Sequence, residues 1–122
     1  MKPKLTWPGK FRVAFRGIYY GVIGQSSFVV HFVAILVVIT LAIVLHVDLI
    51  SGALLILSIG LVITAELINS AVEILFRGLP IEVQEQSWPA LDIAAGAVLV
   101  ASFIAVGVGS LVFVPRLLAF FS

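Results

Sequence analysis

The sequence has no cysteine, and charged residues make up only 11% of its 122 positions. The lack of cysteine excludes disulfides, thiolate metal sites and thiol nucleophiles. No GxxxxGK[ST] or HExxH pattern is present, which excludes a P-loop nucleotide site and a zincin-type metal site. No segment resembles a nucleic-acid-binding module, so nucleic acid is not an expected partner.

Apolar residues are what the chain has in excess. They make up 62% of the sequence, and the mean hydropathy is +1.29. A chain of this size cannot bury so much apolar surface in its own core, because small folds keep a large surface relative to their volume. The composition therefore predicts one integral-membrane domain covering residues 1–122.

Three apolar runs are long enough to cross a bilayer as helices, which requires about 20 residues. We predict an all-α membrane protein with a surface helix at about 8–24 and transmembrane helices at about 28–46, 49–76 and 89–114. The second of these extends into the membrane interface. Glu82 and Glu85 are expected in a solvated polar loop between the last two helices. Three helices make a thin bundle, so we expect oligomerisation.

The basic residues predict the orientation of the chain. Five of the seven lysines and arginines, including Arg12 and Arg16, precede the first apolar run. This asymmetry favours an N-terminus in the cytoplasm. The same segment interleaves basic and aromatic residues at helical spacing, which is typical of an amphipathic helix on an anionic membrane surface. A plain positively charged flank explains the pattern equally well, and the two interpretations are compatible.

The stretch AELINSAVE places three polar side chains on one face of the second predicted helix. Glu66, Asn69 and Glu73 have the spacing i, i+3 and i+7, which brings them within about 60° of one another. Asp92 opens the third apolar run from the same side of the membrane. A functional role is favoured over a structural one for Glu66, because it is an ionisable group next to an apolar run. For the others a structural role explains the residue about as well: Glu73 can pair with Arg77, Asn69 can bridge helices, and Asp92 can complement a helix dipole.

Oxygen ligands at a membrane surface suit Mg²⁺, which takes one or two carboxylates and shares its remaining positions with water and phosphates. A further carboxylate could act as general base on a hydroxyl group. Such a set suits phosphoryl transfer, which depends on positioning and charge neutralisation. An ion-coupled transporter that uses Glu66 is a weaker hypothesis, because its ion site is expected nearer the middle of the membrane.

The segments AELINSAVE and ALDIAAGAVLV, with FRGIYYGVIGQSSFVVH upstream, resemble the prokaryotic diacylglycerol kinase family, which includes the undecaprenol kinases. The resemblance implies a homotrimer in the bacterial inner membrane that transfers the γ-phosphate of ATP, with Mg²⁺, to a lipid alcohol. By this resemblance Glu66 is the general base and Glu73 a metal ligand. Asn69 and Asp92 contact nucleotide and phosphate, and Arg16 is a further candidate nucleotide contact.

Three positions depart from the family pattern. Gln25 stands where the family usually has a second metal-binding glutamate, and Leu91 stands where it has a lysine. Arg77 occupies a position that is commonly acidic, and we hypothesise that it partly replaces the missing cation. An alternative hypothesis follows from these changes: a weakened or inactive relative that serves as a membrane binding or assembly protein. The sequence does not choose between diacylglycerol and undecaprenol as substrate.

Overall fold

The computed structural model describes residues 4–23 and 25–122, and within these ranges the chain is helical with no strand. Its four helices are α1 (Trp7–Val22), α2 (Ser26–Val44), α3 (Leu49–Arg77) and α4 (Ile81–Phe120). The last three are long and apolar enough to cross a membrane. The predicted class, an all-α membrane protein with three spanning helices and one N-terminal helix, is confirmed.

The start of α1 is set by a threonine cap. Thr6 accepts a hydrogen bond from the backbone N–H of Gly9 through Oγ1 at 3.3 Å, and Pro8 lies in the first turn, where its missing N–H costs nothing. Basic and aromatic side chains along α1 are exposed, and Gly21 is the only buried residue of the helix. Helix α1 therefore touches the bundle only near its C-terminal end.

The turn between α2 and α3 is short and closed by polar contacts. His46 adopts a positive φ of 52°, and Asp48 caps α3 by accepting from the backbone N–H of Ser51 at 3.1 Å. The hydrogen bonds from Ser51, with a smaller contribution from the charge of Arg116, lower the pKa of Asp48. Arg116 also donates to the Asp48 carboxylate and to the carbonyl of Val112, so this turn is tied to the last turns of α4.

The packed core lies near the same turn. Leu55, Val112 and Phe113 are buried together, so α3 and α4 form the closest helix pair. Helix α2 has a single buried residue among those described, Phe28. Most apolar side chains of the spanning helices thus face outward from this chain, as lipid-facing helices do.

Helix α4 extends beyond the predicted third span at both ends, because it begins at Ile81 and ends at Phe120. The expectation that Glu82 and Glu85 lie in a loop is wrong: both are exposed residues of α4. The third transmembrane helix was predicted to start at about residue 89 because proline is common at the first position of a helix. Pro89 lies instead within α4, where its ring leaves the Glu85 carbonyl without its usual N–H donor.

Gly21 allows α1 to approach α3 closely. A Cβ atom at this position would lie 2.6 Å from Cδ2 of Leu67, which is closer than atoms can pack. On the same face of α3, the Ser70 hydroxyl donates to the Gly21 carbonyl at 3.4 Å, a long hydrogen bond. Since Ser70 lies four residues after Glu66, about 40° away around the helix, this contact places α1 next to the acidic face of α3.

Replacing Gly21 by leucine should therefore separate α1 from α3, because the added side chain overpacks the contact at a cost of about 1–3 kcal/mol. Gly17→Leu is the matched control, since a Cβ at Gly17 meets nothing within 4 Å. The chain lacks cysteine, so nitroxide labels can be attached at Ile18→Cys and Ala71→Cys. We expect a longer and broader label-to-label distance for Gly21→Leu alone; equal distances in both variants would contradict the contact.

Candidate functional site

The acidic face of α3, which we define as Glu66, Asn69 and Glu73, lies on a helix without interruption. Glu66 is buried, Asn69 and Glu73 are half-buried, and Arg77 at the helix end is exposed. Accessibility thus increases along this face toward the connection between α3 and α4. A ligand arriving at that end of the bundle would meet Glu73 first and Glu66 last.

Glu66 is the buried carboxylate of the chain, with a relative exposure of 6%. Its Oε1 lies 2.9 Å from Nε2 of His31, and its Oε2 accepts a long hydrogen bond from the Ser27 hydroxyl at 3.4 Å. Both partners belong to α2. A carboxylate in an apolar setting is costly unless it is hydrogen-bonded, so these contacts are what allows Glu66 to be buried.

Glu73 is held by residues of its own helix. Asn69 donates through Nδ2 to one carboxylate oxygen at 3.1 Å, and Arg77 donates through Nη2 to the other at 3.4 Å. The pairing of Glu73 with Arg77, one of the interpretations left open by the sequence, is present in the structure. Because both side chains are substantially exposed, this ion pair contributes little to stability and can be exchanged for another partner.

The amide of Asn69 is only partly satisfied. Its Oδ1 is buried and has no hydrogen-bond partner among the described residues. A buried acceptor without a donor costs about 1–3 kcal/mol, which favours a donor supplied from outside this chain. The acidic face therefore presents one unused amide oxygen beside the Glu73 carboxylate.

The remaining predicted site residues are not joined to this face. Asp92 and Arg16 are exposed, and neither forms a side-chain hydrogen bond or ion pair with another described residue. Gln25 is half-buried at the N-terminus of α2, where its side chain makes no capping hydrogen bond. The single chain thus assembles the α3 residues but leaves Asp92, Arg16 and Gln25 without contacts that define their roles.

An apolar cavity of about 240 Å³ lies between α2, α3 and α4. His31 lines it together with residues such as Val62 and Ala105. Since the same histidine contacts Glu66, the cavity ends next to the buried carboxylate. An apolar molecule bearing one polar group could occupy the cavity and present that group to Glu66.

His31 and Ser27 are the site residues that sequence reasoning missed. A signal for His31 was available, because α2 and α3 form an antiparallel hairpin with a short turn. His31 lies thirteen residues before the end of α2 and Glu66 seventeen residues after the start of α3, which puts them within about one helical turn in depth. No comparable signal identifies Ser27, because depth alone does not give the face of α2 that meets Glu66.

The oxygen atoms of this site suit Mg²⁺ only if a bound ligand supplies part of the coordination shell of the ion. No group of three or more His, Asp or Glu side chains suited to a metal occurs within residues 4–23 and 25–122. Mg²⁺ does not need such a group when phosphates and water complete its shell. Glu73, accessible and adjacent to the unpartnered Asn69 oxygen, is the carboxylate that fits this role best.

Comparison with known families identifies the class of protein to which the chain belongs. The family described as prokaryotic diacylglycerol kinase matches residues 12–113, which is most of the chain. The chain belongs to the prokaryotic diacylglycerol kinase family. Membership supports a membrane-bound lipid kinase, and the matched range includes α2, α3 and the acidic face. No curated protein and no solved structure gives a significant match.

Proposed function

We propose that this member of the prokaryotic diacylglycerol kinase family is an ATP- and Mg²⁺-dependent kinase that phosphorylates a membrane lipid alcohol, either diacylglycerol or undecaprenol. The observation that carries the proposal is the buried Glu66 carboxylate at the end of an apolar cavity, on the helix that also bears the accessible Glu73. Family membership supports the reaction class. The cavity supports a lipid as the acceptor.

Glu66 is the proposed general base. Its Oε1 is engaged by His31, while its Oε2 has only the long contact with Ser27. In the proposed reaction Oε2 accepts the proton of the lipid hydroxyl as the hydroxyl oxygen bonds to the γ-phosphorus of ATP. The bond between that phosphorus and the β,γ-bridging oxygen breaks, and ADP leaves with the bonding electrons.

Glu73 and Gln25 are the proposed ligands of the Mg²⁺ that accompanies ATP. The ion neutralises phosphate charge when bound. Asn69, whose Oδ1 lacks a donor, is proposed to accept one from the nucleotide. Asp92 and Arg16 are proposed as further nucleotide and phosphate contacts, on the basis of resemblance and of their accessibility.

We further propose a homotrimer in the bacterial inner membrane with a cytoplasmic N-terminus. The sparse burial of α2 and the unconnected Asp92, Arg16 and Gln25 support a site completed by a neighbouring subunit. The excess of basic residues at the N-terminus supports the orientation. The mass of the purified complex in detergent micelles tests the trimer.

Glu66→Gln should lower kcat for ATP-dependent lipid phosphorylation by about 100-fold or more, since a positioned general base contributes roughly 10²–10⁴-fold. The measurement is transfer of radiolabel from γ-labelled ATP in mixed micelles, with diacylglycerol and undecaprenol assayed in parallel. Glu85→Gln is the matched control, because Glu85 is an exposed glutamate of α4 and should leave the rate unchanged. A Glu66→Gln enzyme with wild-type turnover would remove the assigned base.

Arg77 is proposed to contact the ATP phosphates by exchanging its exposed pairing with Glu73 for the nucleotide. Arg77→Ala should then raise the KM for ATP several-fold while the KM for the lipid stays nearly constant. Steady-state kinetics with each substrate varied in turn provide the measurement. An equal rise in both KM values would reject the proposed phosphate contact.

The alternative proposal is a catalytically weakened or inactive relative that acts as a membrane binding or assembly protein. Gln25 and Leu91, which replace an expected carboxylate and an expected cation, favour it. If the wild type is weak, the double variant Gln25→Glu, Leu91→Lys should increase turnover at least 10-fold in the same assay. Activity already present in the wild type and unchanged by the double substitution would contradict this alternative.

A further inference from the structure

The contact between His31 and Glu66 joins two spanning helices through buried polar atoms. Nε2 of His31 lies 2.9 Å from Oε1 of Glu66, and both side chains are largely shielded from solvent within this chain. The polar groups further along α3 do not take part: Asn69 and Arg77 are hydrogen-bonded to Glu73 instead. His31 is therefore the ionisable partner of Glu66 among the described residues.

The chemistry of the two groups fixes the direction of this hydrogen bond. In its proposed role as general base Glu66 must be able to accept a proton, and a carboxylate in that form can only accept hydrogen bonds, so Nε2 of His31 carries the hydrogen. The bond holds Oε1 toward α2 and leaves Oε2 with the 3.4 Å contact to Ser27. An incoming hydroxyl can replace such a long contact easily, so Oε2 is the oxygen free to take a proton.

We propose that His31 is a positioning residue: it engages Oε1 of the Glu66 carboxylate and so leaves Oε2 to take the proton of the lipid hydroxyl. The catalytic meaning of this inference rests on the proposed function of Glu66 as general base. The position of His31 supports it, because the same ring lines the apolar cavity and donates to the carboxylate. His31 thus connects the cavity with the buried carboxylate.

A purely structural role, in which His31 only attaches α2 to α3, predicts a different outcome. Loss of attachment would lower stability and alter both KM values, whereas loss of orientation lowers kcat with KM values nearly constant. The amide of glutamine can place an N–H close to the position of Nε2, but leucine cannot donate. Comparison of His31→Gln with His31→Leu therefore separates the effect of losing the hydrogen-bond donor from the effect of changing the side-chain volume.

His31→Leu should lower kcat about 10- to 100-fold, a part of the factor contributed by a positioned base, with less than a threefold change in either KM. In His31→Gln the decrease in log kcat relative to the wild type should be at most two thirds of the decrease in His31→Leu. The control is His46→Asn, which removes the other histidine at the opposite end of α2; asparagine tolerates the positive φ found there. A wild-type kcat in His31→Leu, or equal losses in the leucine and glutamine variants, would overturn the proposal.

A spectroscopic measurement tests the contact without relying on turnover. The chain has two histidines, so ¹⁵N-histidine labelling gives one imidazole signal set for each. Glu66→Gln should shift the Nε2 resonance of His31 and leave that of His46 in place, which also reports that the variant is folded. If Glu66→Gln leaves the His31 resonance unchanged while the wild-type protein phosphorylates lipid, the positioning role is overturned and the kinase function stands. A shifted resonance in a protein inactive toward both lipids would overturn the kinase function, and with it the catalytic meaning of the pair.

Discussion

The buried hydrogen bond between Glu66 and His31 is the interaction on which the site depends. A carboxylate with 6% exposure is costly to bury without hydrogen-bonding partners, and α2 supplies two of them, His31 and Ser27. The pair therefore sets how α2 meets α3 where the apolar cavity ends. Removing the histidine would leave a buried acceptor unpaired, whereas the ion pair of Glu73 and Arg77 is exposed and easily exchanged.

The two ends of the helix bundle differ in packing and in polarity. Near the short turn between α2 and α3, an apolar core and the contact of Arg116 with Asp48 hold α3 and α4 together. At the opposite end, the acidic face of α3 changes from a buried to an accessible environment over seven residues. In the proposed function the buried end of this face serves the lipid acceptor and the accessible end serves the nucleotide, so that one helix carries both sites.

The composition and the helical periodicity were enough to predict the all-α membrane class and the shared face of Glu66, Asn69 and Glu73. Both follow from local rules that hold along one helix. The start of α4 was predicted poorly, because Pro89 has the same local signature inside a helix as at its start. The contact with His31 was missed for a different reason. The short turn gives the matching depth of His31 and Glu66, but the contact also depends on how the two helices are rotated about their axes, which packing decides and local sequence does not.

In the proposed orientation the acidic face of α3 opens on the side of the membrane where ATP is present. Since the chain lacks cysteine, single-cysteine variants can show on which side of the membrane each end of α4 lies. A membrane-impermeant maleimide is applied first to intact cells and then to permeabilised cells. Glu85→Cys, near the start of α4, should react only after permeabilisation, and Ser122→Cys, at the other end of α4, should react in intact cells. Labelling of Glu85→Cys from outside intact cells would place the acidic face away from ATP and contradict the account.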